Sequence, residues 1–273
     1  MKKILFNWKY LILFGAIILI GLYMIYSGYV FEYLNYNVQS SEEGISTEDL
    51  MQMRNKYFLG NIRFDLNYTG YNGIKHRVAL ATIIATIFIL STMKRRLLKY
   101  NIGRNEEYNK EMSKLKYRLS FITPIVSLLI VLIVLFIGFV FSSEKGIGDL
   151  WLKVYHPESI FGFIREPYMV LIVLEIMSFI GLYIISLLSY EIVDRYDGFK
   201  GIIIIFLIYL LIPILITYLP IKISNIVKSM PSQLINFNNF MLIDPLEFII
   251  PAIMYIGIVL WIRKLEDENI EIE

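Results

Sequence analysis

The chain of 273 residues has no cysteine and only two histidines, His76 and His156, which lie far apart in the sequence. Without cysteine, disulfide bonds, thiolate metal sites and cysteine nucleophiles are excluded. Two distant histidines also argue against a histidine-rich metal site. The motifs HExxH, GxSxG and GxxxxGK[ST] do not occur. We therefore expect that the protein is not an enzyme and that it holds no cofactor. Charged residues make up only 18% of the chain, and they cluster between apolar runs.

Those apolar runs are the main feature of the sequence. Hydrophobic residues reach 57% and the mean hydropathy is +0.60, far above an average globular domain. Six runs have about the length that crosses the hydrocarbon layer of a membrane as an α-helix. They cover residues 10–30, 78–93, 121–141, 168–190, 202–219 and 240–262, approximately. The sequence therefore predicts an all-α integral membrane protein, in which residues 1–273 form one domain of six transmembrane helices.

The fourth and fifth runs, 168–190 and 202–219, are joined only by the charged break 191–200. So short a connection requires the two helices to lie antiparallel and side by side.

The distribution of positive charge predicts how the chain is oriented. The N-terminal tail, the loop 94–118, the break 191–200 and the C-terminal tail carry sixteen of the 26 Lys and Arg residues. By the positive-inside rule, both termini are cytoplasmic, and we place the chain in a bacterial cytoplasmic membrane. Residues 31–77 then form an extracytoplasmic loop with a short helix around Thr47 to Leu59, followed by residues 67–73, which are rich in turn formers.

The loop 94–118 contains a second pattern of helical period. Tyr108, Met112, Leu115 and Leu119 recur at the spacing of one helical face, and charged side chains occupy the remaining faces. This predicts an amphipathic cytoplasmic helix. Two interpretations stay open: the helix docks on a soluble partner, or it extends the third span and is held on anionic lipid by its Lys and Arg residues.

Glu175 is a carboxylate inside the fourth span, roughly two turns from its start. Such groups are costly in a membrane, and they face a bundle interior or an aqueous cavity. Glu175 is therefore either part of a translocation path or a buried polar group bonded to Tyr, Ser or Thr on a neighbouring helix. Asp244 and Glu247 are expected at the start of the last span, where the helix dipole favours negative charge.

In its layout the chain resembles the permease subunits of ABC-2-type transporters. The matching features are a basic N-terminus before the first span, a helical cytoplasmic loop between spans two and three, a short turn between spans four and five, and a broken apolar segment before span six. The resemblance implies an exporter of a peptide or lipid-like substrate, formed with a second permease copy or a paralogous permease and driven by a separate cytoplasmic ABC ATPase. It also implies contact with membrane lipids and none with nucleic acid. The loop between spans two and three would be the coupling helix that docks on the ATPase, through residues Arg104, Tyr108, Lys110, Met112, Lys114 and Leu115.

Two other classes of function remain open. The chain is alternatively a non-transporting membrane protein, such as a sensor or an immunity factor against a membrane-active peptide, that uses the 31–77 loop. The third class is a membrane-embedded enzyme that uses Glu175 or Asp244, for which the sequence offers no second catalytic group.

Overall fold

The computed structural model describes residues 8–35, 46–100, 105–142, 164, 166–196, 198–211 and 246–270. Almost all of these residues are helical, and no strand occurs among them. The helices are α1 (Trp8–Asn35), α2 (Thr47–Asn61), α3 (Phe64–Tyr100), α4 (Asn105–Ser120), α5 (Ile122–Phe141), α6 (Pro167–Tyr196), α7 (Gly198–Phe206), a π-helical turn (Leu207–Leu211) and α8 (Leu246–Ile270). The predicted all-α fold is confirmed for these parts of the chain.

Within the described parts of the chain, four helices are long and apolar enough to cross a membrane: Trp8–Asn35, Phe64–Lys99, Glu106–Phe141 and Tyr168–Tyr196. A shorter apolar helix covers Phe199–Tyr209. The first four predicted spans all fall within the four long helices. The predicted fifth span, 202–219, is described only as far as residue 211, and the predicted sixth overlaps α8.

The expectation of an irregular loop up to residue 77 is wrong for its last part. Helix α3 begins at Phe64 and continues unbroken through the turn-forming residues 67–73 into the apolar run. Tyr68 and Tyr71 are fully buried, and the Asn67 amide donates hydrogen bonds to the carbonyls of Asn61 and Arg63. Packing of this first part of α3 thus outweighs its weak helix propensity.

The short helix expected around Thr47 to Leu59 is confirmed as α2, Thr47–Asn61. Ser46 caps its N-terminus, because its side-chain oxygen accepts a hydrogen bond from the backbone N–H of Asp49.

The helices pack around two apolar clusters, one toward each end of the bundle. The first contains Met93 of α3, Met112 of α4, Val193 of α6 and Ile262 of α8. The C-terminal parts of α3, α6 and α8 therefore meet α4 at one end.

The second cluster contains Tyr68 of α3, Val134 of α5 and Val170 of α6. Here the N-terminal parts of α3 and α6 meet the C-terminal part of α5, so α5 runs antiparallel to both. Because α6 and α8 both end at the first cluster, these two helices run parallel to each other.

Glycine allows the closest helix contacts. A Cβ at Gly138 of α5 would lie 3.0 Å from the backbone nitrogen of Phe64, where α3 begins. A Cβ at Gly201 of α7 would lie only 2.7 Å from the Cα of Val193 in α6. Small residues at such contacts let membrane helices approach closely.

Candidate functional site

Five charged side chains from four helices form a continuous cluster at the end of the bundle where α3, α4, α6 and α8 meet. We refer to Lys94, Lys116, Glu191, Asp194 and Arg263 as the ion network. The Lys116 ammonium lies 2.5 Å from Oε2 of Glu191 and 3.0 Å from Oδ2 of Asp194. Arg263 reaches Oε1 of Glu191 at 2.5 Å, and Lys94 reaches Oδ1 of Asp194 at 2.5 Å.

The centre of the ion network is shielded from the surroundings of the protein. The side chains of Glu191 and Lys116 are 0% and 5% exposed, whereas that of Lys94 is 33% exposed. A buried carboxylate persists only when it is paired, and each oxygen of Glu191 has its own cation. Removing the Glu191 carboxylate would therefore leave excess positive charge inside the bundle.

Tyr117 extends the ion network on its more exposed side. The Arg263 guanidinium donates a hydrogen bond to the Tyr117 hydroxyl and lies 4.6 Å from the centre of the Tyr117 ring. Partial burial acts to lower the pKa of Arg263, but the hydrogen bond to Tyr117 and the charge of Glu191 outweigh it and raise the pKa above its ordinary value. Arg263 is thus a permanent cation beside Glu191.

The sequence spacing explains how these side chains converge. Glu191 and Asp194 are three residues apart on α6 and so share one helical face. Lys116 lies on the same face of α4 as Met112 and Leu119, and all three are buried. The buried face of α4 is thus an apolar stripe that includes one lysine.

This packing also gives the positions of three residues predicted to dock on an ATPase, and their docking stays a prediction. Met112 and Leu115 are 2% and 1% exposed, because α4 packs its apolar stripe into the bundle. Tyr108 is half-buried against the same cluster. Met112 and Leu115 are thus covered by the chain's own helices, whereas Tyr108 is only partly covered.

Two of the remaining predicted docking residues are accessible. Lys110 and Lys114 are exposed on the outer side of α4, and Lys114 forms an ion pair of 3.2 Å with Glu111. Arg104 lies outside the described residues. Any docking by this helix therefore has to use its polar face.

Helices α4 and α5 are nearly continuous, because only Phe121 separates them and Glu106–Phe141 is one long helical segment. The interpretation of α4 as an extension of the third span is confirmed in this respect. Its contact with anionic lipid stays a prediction.

Glu175 lies in the second apolar cluster region and is bonded to α3. Its Oε1 accepts hydrogen bonds from the Tyr68 hydroxyl at 2.6 Å and from the Lys75 ammonium at 3.1 Å. The Lys75 side chain is 2% exposed, and its ammonium also lies 5.5 Å from the centre of the Tyr71 ring. Bonding to a tyrosine of a neighbouring helix was one of the two interpretations from the sequence, whereas a role in translocation stays a prediction.

Sequence reasoning missed Lys75 because residues up to 77 were assigned to a loop. A lysine four residues after Tyr71 and seven after Tyr68 has the spacing of one helical face. That spacing would have placed Lys75 on the same helical face as Tyr68 and Tyr71, but not beside Glu175.

Glu175 also borders a shallow groove between α5 and α6. The groove has a volume of about 300 Å³ and is lined, apart from Glu175, by Leu128, Ile172, Ile176, Phe179 and Ile180. The Glu175 side chain is 11% exposed.

Among the described residues, no group of three or more acidic or histidine side chains has the arrangement of a metal site. Asp244 and His156 lie outside the described residues, and Glu247 falls in the first turn of α8. The expected absence of a metal and of enzymatic chemistry stays a prediction.

Together, the four long apolar helices and the buried ionic contacts between them indicate a multi-helix membrane protein. No family model, no curated protein and no solved structure matches the chain.

Proposed function

We propose that the chain is the membrane-spanning permease subunit of an ABC-type exporter, which moves a peptide or lipid-like substrate with energy from a separate cytoplasmic ATPase. The proposal includes six crossings, both termini in the cytoplasm, and a second permease copy or paralogue as partner. The observation that carries it is the position of α4, which is bonded to the bundle on one face and exposed on the other.

The direction of the helices supports six crossings. Helices α6 and α8 run parallel, since Glu191 and Arg263 near their C-terminal ends form an ion pair. The chain between them must therefore return to the opposite end of the bundle. The apolar helix Phe199–Tyr209 begins that return, which supports a fifth crossing between α6 and α8.

Helix α4 has the contacts expected of an element that transmits force. Through Lys116 it is bonded to Glu191 and Asp194 of α6, and through Tyr117 to Arg263 of α8. A rigid displacement of α4 would move the ends of both helices, because the contacts joining them are short, charged and mostly buried. By this displacement, ATP-driven closure of the partner ATPase would move the membrane helices.

The outer face of α4 is suited to a charged partner surface. Lys110, Lys114 and Arg118 are exposed there beside Glu106 and Glu107, and a face with both signs of charge favours a partner of complementary charge pattern. Docking on the ATPase is thus assigned to the polar face of α4.

The test is affinity purification of the tagged chain from its native membranes in mild detergent, with quantitative mass spectrometry of the proteins that accompany it. We expect a stoichiometric ATPase with a Walker motif. The single variants Lys110→Glu and Lys114→Glu should each reduce its recovery, since they reverse charge on the docking face. Lys56→Glu on exposed α2 is the matched control and should leave recovery unchanged.

Two results would overturn the proposal. One is a purified homo-oligomer without any ATPase. The other is an ATPase whose recovery is lowered equally by all three charge reversals, which would indicate a general charge effect.

A second candidate function, a sensor or immunity factor against a membrane-active peptide, is favoured by α2. Its Met51, Met53 and Tyr57 side chains are 45%, 54% and 58% exposed, and adaptable methionine-rich surfaces suit binding of varied apolar partners. Replacing these three residues with serine would abolish peptide resistance under this hypothesis, whereas the exporter proposal predicts that ATPase recovery is unaffected.

A further inference from the structure

The groove beside Glu175 combines an apolar surface with an incompletely bonded carboxylate. Both donors to this carboxylate, Tyr68 and Lys75, bind Oε1. Among the described residues, no side chain donates a hydrogen bond to Oε2. Since the Glu175 side chain borders the groove and is 11% exposed, the groove is where a further donor can reach it.

We propose that this groove binds an uncharged amphiphile, which is an apolar tail that carries one hydroxyl or amide donor. The donor would bond to Oε2 of Glu175, and the tail would lie along Ile172, Ile176 and Ile180. These three isoleucines recur every four residues on α6 and are 51%, 55% and 44% exposed. They form a continuous apolar strip at the mouth of the groove.

Charge decides which kind of donor fits. Lys75 already balances the charge of Glu175 at 3.1 Å. A cationic ligand would add an uncompensated charge inside an apolar layer, which is strongly unfavourable. A neutral hydroxyl or amide satisfies the oxygen without changing the net charge.

The size and shape of the groove favour a small molecule over a second protein chain. Its volume of about 300 Å³ lies at the lower end of the range for small-molecule sites. A second copy packed two-fold on this face would bring two Glu175 carboxylates together, and neither would supply the donor that the other lacks. The inference needs no partner ATPase and therefore does not depend on the exporter proposal.

The experiment uses photo-crosslinking to the full chain in phosphatidylcholine nanodiscs, since this lipid has no N–H or O–H donor. The probe is a decanol that carries a diazirine on its tail, and its methyl ether is the matched probe without a donor. We expect the alcohol to label α6 residues around Ile176 and the facing part of α5, and excess 1-decanol to suppress the labelling. The ether should label these residues at least about tenfold less, the ratio expected for one hydrogen bond to a charged acceptor.

Variants separate the carboxylate from the apolar strip. The double variant Glu175→Leu with Lys75→Met removes the acceptor without leaving a buried charge, and it should lower labelling by the alcohol to the level of the ether. Ile176→Trp fills the groove while Glu175 stays bonded to Tyr68 and Lys75. Labelling of this variant by the alcohol therefore tests the site even if the double variant fails to fold. Ile253→Trp, at a 65% exposed position of α8, is the matched control and should leave labelling unchanged.

Several outcomes would overturn the proposal. Equal labelling by alcohol and ether would show that Glu175 does not select a donor, and labelling spread over all exposed helices would show that no site exists. A disulfide-linked dimer of Ile176→Cys in native membranes would show that a second copy covers the groove, a clean result because the chain has no other cysteine.

Discussion

Neutralising Glu191 should destabilise the protein far more than neutralising a carboxylate on its surface. In Glu191→Gln the side chain keeps its shape but no longer balances Lys116 and Arg263. Lys116 is 5% exposed and retains only Asp194 as a carboxylate partner among the bonds described above. Breaking a buried ion pair on one side costs about 3–5 kcal/mol, and we expect the lower figure because Asp194 remains.

Two further variants give a scale that follows burial. Asp194→Asn should cost about 1–2 kcal/mol, because Lys116 keeps Glu191 and Lys94 is 33% exposed and can be solvated. Glu111 and Lys114 form an exposed ion pair within α4. Glu111→Gln removes the partner of Lys114 and should lower the free energy of unfolding by less than about 0.5 kcal/mol. The predicted order of destabilisation is thus Glu191, Asp194, Glu111.

The measurement is equilibrium unfolding by sodium dodecyl sulfate in mixed micelles, followed by tryptophan fluorescence, with the free energy of unfolding taken for each variant. If Glu191→Gln and Glu111→Gln differ by less than about 0.5 kcal/mol, close to the scatter of surface substitutions, the ion network does not hold the four helices together.

Three other contacts give predictions for the same unfolding assay. Gly201→Ala should destabilise by about 1–3 kcal/mol, because its Cβ would clash with the backbone of α6, whereas Gly257→Ala meets open space and should be neutral or slightly stabilising; equal effects would contradict this. Lys75→Met should cost more than the double variant with Glu175→Leu, since only the single variant leaves an unpaired buried charge, and the reverse order would refute the pairing. Tyr71→Phe should cost about 1 kcal/mol through the loss of its 2.7 Å hydrogen bond to a serine hydroxyl of α5; no measurable loss would show that this bond does not contribute.

Apolar length and helical period sufficed to predict most of the described helices. The runs 10–30, 121–141 and 168–190 lie inside the long helical segments Trp8–Asn35, Glu106–Phe141 and Tyr168–Tyr196, because a long apolar segment has few other ways to satisfy its backbone groups. The apolar stripe of α4 was correctly predicted to be helical. The pattern alone did not show that α3, α6 and α8 cover the stripe, since an amphipathic pattern shows that one face is covered without showing what covers it.

The candidate sites depended on information that local sequence does not contain. Lys116 and Glu191 are 75 residues apart, and Lys75 and Glu175 are 100 residues apart. In the local sequence Lys75, Lys116 and Glu191 lie in polar or charged segments, and only Glu175 lies inside an apolar run. Only the packing of α4 and α3 against α6 makes them partners. For α3 this packing was not predicted, because the turn-forming residues 67–73 indicated a loop.

The most direct test of the exporter proposal is the side of the membrane on which α4 lies. Single cysteines at Lys110, Lys264 and Lys56 provide unique labels in a chain without native cysteine, and all three positions are exposed. In intact cells a membrane-impermeant maleimide should label Lys56→Cys, and it should label Lys110→Cys and Lys264→Cys only after the membrane is made permeable. Labelling of Lys110→Cys from outside would place α4 beyond the reach of a cytoplasmic ATPase and would contradict the proposal.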